Sequence, residues 1–182
     1  VSRVDGLPPL LGDFETMGVI ARSPNDLRAI LFTAAHRHPA DRPTFAFSDE
    51  ERRTVPAARE RRRILYVPRF GDFPVDPEIG GSVDAAARLL ERMGHNIETG
   101  EVPFDVDRLN AIWNLIGPAG LAWLVDSYSL DTSLMSPSLL PMVETGRKAS
   151  ATAYLQLLAD VQSLRNELGL LFEHYDFILT PS

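Results

Sequence analysis

The apolar positions near the start of the chain predict a helix. Leu27, Ile30, Leu31 and Ala34 recur at helical spacing. Just ahead of them Val19-Ile20-Ala21 reads as a short extended step, Ser23 as an N-cap and Pro24 as the first helical residue. Asp26 stands where it can share the cap, close to a capping box with Asp in place of Glu. The helix is expected to end between His36 and Pro39. Residues 1–16, with "DGLPPLLGD", read as loop, and residues 39–62 as a polar connector.

Beyond the connector the period changes. Ile64-Leu65-Tyr66-Val67 is apolar throughout, which predicts a strand covered on both faces. Asp76 caps and Pro77 opens a second helix, with Ile79, Val83, Ala86, Ala87, Leu90 and Met93 on one face and Gly94 as its stop. "HNIETGEVP" is the next strand. Strand, helix and strand make a βαβ unit at about 63–102, with parallel strands. Residues 105–126 read as helix, with Leu109, Ile112, Trp113 and Ile116 in a stripe and Leu121, Trp123 and Leu124 continuing it. Pro118 is expected to end or kink that helix. "SYSLDTSLMSPSLLPMVETGRK" reads as loop with short turns. A long helix from Ser150 to His174 follows, with Tyr154, Leu158, Val161, Leu168, Leu171 and Phe172 as core positions, and "YDFILTPS" returns to a strand. The class is α/β, in a single domain over 1–182.

Composition narrows the chemistry. The 182 residues are 45% hydrophobic and 24% charged, ordinary for a globular protein. Lys+Arg 18 against Asp+Glu 25 gives a net charge of −7, which argues against nucleic acid as the partner. The basic run at Arg59–Arg63 then reads as a solvated face before a strand. No cysteine is present, so disulfides, thiolate nucleophiles and thiolate-bound zinc are excluded. The His36-Arg37-His38 triplet at a helix end suits the helix dipole better than a metal, and no metal site is expected. No stretch approaches a membrane span, no signal peptide is visible, and the expected location is cytoplasmic. Gly80-Gly81-Ser82 lies inside the helix after Pro77 and reads as close helix packing, not as a nucleophile loop. The first residue is Val1, not Met, and the last, Ser182, stands just behind an apolar strand; both ends read as cuts.

Four segments, in order, carry a resemblance. "GVIARSPNDL" resembles the Gly-Pro-aliphatic-Ala-Arg-Ser-x-x-Asp-Leu segment of the amidase signature family of amide hydrolases, with Val19 where Pro is usual. "ILYVPRFGDFPVDPEIGGSVDAAARLLERMGHNIETGEVP" resembles the family's strand, "DPE", helix and strand run. "AIWNLIGPAGLAWL" resembles the helical segment that follows, and "RNELGLLFEHYDFILTPS" its closing helix and core strand. The resemblance implies the C-terminal part of an α/β/α amidase domain, a mixed sheet flanked by helices.

It also implies hydrolysis of a carboxamide to a carboxylate and ammonia or an amine by a Ser–Ser–Lys triad, without metal or cofactor. That triad lies N-terminal to the segment resembling "GVIARSPNDL". No Gly-Gly-Ser-Ser-Gly-Gly-type loop is present here, and Lys148, the one lysine, sits in a different context. No catalytic role therefore passes to this chain, which is expected to be inactive alone. Arg22, Ser23 and Asp26 are expected to form a structural joint, by cap and ion pair. Trp113 is the candidate for a substrate-pocket wall, although a plain core role suits it as well. Ser127, Ser129 and Ser136 are loop serines without an adjacent base, and Arg165 reads as a structural ion-pair residue. The partners implied are a small amide substrate, no nucleic acid and no membrane, with self-association through an incomplete sheet. Two alternatives stand beside this reading: an amidase subunit of a glutamyl-tRNA amidotransferase, and a non-catalytic binding module derived from the family.

Overall fold

The apolar run ending at Val67 is the centre of a three-stranded sheet. Strand β1 (Arg63–Tyr66) pairs with β2 (Asn96–Thr99) on one side and β3 (Phe177–Leu179) on the other, and both pairings are parallel. Leu65 stands opposite Glu98 and Ile178, and Val67 extends the ladder by donating its N–H to Leu179 O at 2.8 Å. Ile64, Leu65, Tyr66 and Val67 are all buried, Val67 completely at 0% exposure. Successive side chains point to opposite faces, so burial of all four means both faces are covered.

The computed structural model describes residues 8, 10–15, 18–41, 44, 45, 48 and 60–182. Much of the loop expected at 1–16 and of the connector at 39–62, with Arg59, lies outside the described residues. Two compact units are formed, one of Val1–Ala58 and Gly117–Arg147, the other of Arg59–Ile116 and Lys148–Ser182.

The second unit holds the sheet. Helix α2 (Pro77–Arg92) starts where Asp76 Oδ1 accepts the N–H groups of Glu78 and Ile79, at 2.8 and 3.4 Å. It stops at Gly94, whose φ of +98° lets its N–H reach Glu91 O and the His95 N–H reach Leu90 O, a Schellman closure. Ala87 is the buried residue of this helix; Ile79 and Met93, expected on its core face, are exposed. Gly80 has only ordinary contact with Val75, and Gly81 has nothing near it, so neither supplies the close packing expected of them. Helix α3 (Val106–Ser127) begins here with Ile112 and Ile116 buried. Helix α5 (Ala151–Leu171), capped by Ser150, buries Leu157, Val161 and Leu164. Of the expected core positions, Val161 is buried, while Tyr154, Leu158 and Phe172 are exposed, so the stripe that faces the core differs from the one read. Leucines lie on several faces of this helix, and periodicity alone does not choose among them.

Arginines of the basic run tie strand ends together. Arg61 Nε donates to Gly94 O at 2.9 Å, and the Arg62 N–H donates to His95 Nδ1 at 3.2 Å. The Arg63 N–H donates to Asp176 Oδ2 at 2.7 Å, and its guanidinium to Glu173 O at 3.1 Å. These residues hold β1 against the approaches to β2 and β3.

The first unit contains α1 (Pro24–Ala34) and the second half of α3. The latter packs Ala122 and Val125 on Val143 of α4 (Leu140–Arg147), with Leu121 and Met135 at the edge. Two expectations are corrected here. The segment after α3 is not all loop, because Val143 and Gly146 are buried in a short helix. Pro118 does not end α3, which runs on to Ser127. Proline inside a helix costs about 3 kcal/mol. Here Pro118 is buried, and Gly146 lies so close that a Cβ on it would stand 2.0 Å from Pro118 O. Packing of α4 on this stretch offsets the lost hydrogen bond. Arg147 holds the two helices together at the surface, donating to Asp126 Oδ1 at 2.6 Å and to Glu144 Oε1 at 2.8 Å.

Candidate functional site

The carboxyl ends of parallel strands are where open α/β sheets place their ligands, because the loops leaving them diverge. The loop after β1 does this. Between Val67 and Asp76 it carries two prolines and Gly71, whose φ is +55°. Two hollows flank it. One, of about 390 Å³, is lined by Tyr66, Arg69, Val75, Asp76, Gly80 and Asp84 among others. The second, of about 400 Å³, lies between Gly71–Pro74 and the start of α3, with Asp105, Asp107 and Asn110.

In the first hollow Tyr66 is buried on the last residue of β1, and its hydroxyl donates to Asp84 Oδ1 on α2. Burial, then the hydrogen bond to Asp84 and the charge of that carboxylate, push the phenol up to about 12; Arg88 pulls the other way. The phenol is therefore a fixed, neutral donor with lone pairs left to accept. The second hollow is organised by Asp105, whose Oδ1 accepts the N–H groups of Asp107 and Arg108 at 2.9 and 3.1 Å and so starts α3. Arg108 then pairs with Glu167 of α5 through both guanidinium nitrogens. Its hydrogen bond holds Glu167 below the usual carboxylate range.

Sequence reasoning gave no role to Tyr66 or Asp84. A signal existed in Tyr66, a hydroxyl at the end of an otherwise apolar run, since a buried Tyr needs a partner. The partner lies 18 residues on and is brought in only by the strand–helix turn.

The residues singled out from sequence lie elsewhere. Ser23 Oγ accepts the Asp26 N–H at 3.2 Å and donates to its Oδ2 at 2.8 Å, capping α1. Arg22 is exposed, and no ion pair with Asp26 is formed among the described residues. Trp113 on α3 is 42% exposed and lines neither hollow. Lys148 is exposed between α4 and α5. His36 Nδ1 sits 3.1 Å from Ala34 O, and His38 Nδ1 accepts the Ala40 N–H at 3.2 Å, so both rings serve local turns. No cluster of three metal-ligating side chains is present among the described residues. Serine–carboxylate contacts at Ser23–Asp26 and Ser163–Glu167 are local to one helix, and their carboxylates already serve a cap or an arginine. Among the described residues, no helix is long and apolar enough to cross a membrane.

Comparison with known proteins places these features in a wider frame. A family model described as Amidase matches residues 1–182. The chain is 25% identical over 190 residues to the 2-amino-5-chloromuconic acid deaminase of Comamonas testosteroni, across 98% of this chain and 37% of that enzyme. Its fold is similar to that of 6-aminohexanoate cyclic dimer hydrolase, with a TM-score of 0.65 and 18% identity over 85% of this chain and 34% of the other. It is also similar to that of a bacterial aryl acylamidase of the amidase signature enzymes, with a TM-score of 0.54 and 16% identity over 66% of this chain and 27% of the other. The chain thus spans about a third of the length of the proteins it matches.

Proposed function

The chain belongs to the amidase family, whose model matches residues 1–182, and on that premise we propose that it is part of an enzyme that hydrolyses a carboxamide. Water is consumed, the acyl carbon–nitrogen bond breaks, and a carboxylate and ammonia or an amine leave. The observation that carries this reading is the family match over the whole chain, and the relatives named as a deaminase and an acylamidase agree with it. Within the enzyme these residues act as scaffold and pocket wall, while the nucleophile and base belong to the rest of the protein. Ser23 and Asp26, with Arg22 beside them, serve as a structural joint, and Trp113 borders the acyl pocket. We place the enzyme in the cytoplasm, acting on a small amide, with an open sheet edge that favours self-association.

The test compares the 182-residue chain with the protein from the whole reading frame on a panel of simple aliphatic and aryl carboxamides. Ammonia or amine release is expected from the longer protein and none from the shorter. Silence from the longer protein across the panel overturns the reading. So does turnover by the shorter chain that disappears when one of its own serines is replaced by Ala.

A further inference from the structure

The first hollow has a distribution of charge that calls for a particular kind of ligand. Deep in it, Tyr66 is buried, with its one hydroxyl proton given to Asp84, so tyrosine and carboxylate together present acceptors. The outer part carries Arg69, whose side chain is 60% exposed and whose ion pair with Asp72 is long, 3.9 Å, and open to water. Such a pair holds the guanidinium weakly and leaves it available. Asp76, also lining the hollow, is engaged at the start of α2 by two backbone N–H groups. The wall between is apolar, formed by Pro74, Val75 and Pro77. The lining thus holds a guanidinium at its outer end, Arg69, and a carboxylate at its deep end, Asp84, which favours a ligand carrying one charge of each sign at its two ends. About 390 Å³ is within the range of small-molecule sites.

We infer that this hollow binds a small amino-carboxylate zwitterion, with its ammonium on Asp84 and Tyr66, its methylene chain against Pro74 and Val75, and its carboxylate on Arg69. Binding here needs no turnover and is independent of the amide-hydrolysis reading.

The test is calorimetric titration of the full-length protein with 5-aminopentanoate, and with pentylamine and pentanoate as ligands of one charge each. The zwitterion is expected to bind at least about tenfold tighter than either, the scale of one charge-assisted hydrogen bond. Arg69→Gln should reduce it to the affinity of pentylamine, and Asp84→Asn to that of pentanoate. Circular dichroism and thermal unfolding of both charge variants, compared with the natural protein, separate a lost charge from a disturbed fold. Absence of saturable binding, pentylamine equal to the zwitterion, or losses below about threefold in both charge variants would each overturn the assignment.

Discussion

Tyr66 is the residue at which burial and chemistry meet. Its phenol is held up to about 12 by burial first and by Asp84 second. A raised value in the folded state means that folding favours the neutral phenol. Its contribution to stability is fully present below the unfolded value of about 10 and is lost as pH rises through about 12. Denaturant unfolding of the natural protein should therefore show stability falling across that alkaline window. Tyr66→Phe should be less stable below pH 10, for want of the hydrogen bond to Asp84, and flatter between 10 and 12. Parallel curves for the two proteins would mean that Tyr66 does not carry this dependence. Such a residue is hard to find from sequence. As one letter in "ILYV" it reads as strand, and only the return of α2 over the strand end turns it into part of a site.

At the scale of elements, Gly146 sets two rules against each other. Inside a helix, Ala is favoured over Gly by about 1 kcal/mol. A Cβ at 146 would, however, stand 2.0 Å from Pro118 O and 2.8 Å from the Ala122 Cβ. One of those neighbours is backbone, so α4 would have to move off α3, and overpacking of this kind costs about 1–3 kcal/mol. Contact outweighs propensity. Gly146→Ala is expected to lower the unfolding midpoint, and a midpoint unchanged or raised would show that α4 is free to shift. The same contact explains why α3 was legible only in part. The stripe of Ile112 and Ile116 marked a helix, but what carries it past Pro118 is a helix some 25 residues further on, whose eight residues are too few for periodicity to show. Elements with local signals were read well: Ser23 and Asp76 cap where their sequence predicts, and Gly94 closes α2. Core faces were read less well, because α5 has leucines on more sides than the core covers.

Over the whole molecule, order along the chain and the pairing of β1 with β2 were legible, and the pairing of β3 was not. The βαβ unit follows from adjacent segments, whereas β3 joins β1 from 113 residues away through Arg63 and Asp176, and no local pattern specifies that. Charge and exposed apolar surface are also properties of the whole chain, and together they fix how copies behave toward one another. At pH 7 a net charge of −7 keeps copies apart. That repulsion vanishes near the isoelectric point, about 5.1. Large apolar side chains then meet with no opposing force: Ile20 is 99% exposed, Leu134 85% and Leu155 64%. The protein is expected to remain folded at that pH. Hydrogen bonds from Arg147 and Arg108 hold Asp126 and Glu167 below the usual carboxylate range. Their contribution is present above about pH 4 and is lost only as pH falls through the lower folded values. Light scattering at fixed ionic strength should rise toward pH 5 and fall on either side, and the associated protein should keep its helical circular dichroism. Leu155→Glu removes apolar surface and adds a negative charge, so it should lower the maximum and move it to lower pH. Scattering that stays flat from about pH 4 to 8, or a maximum that Leu155→Glu leaves in place, would show that charge does not govern association.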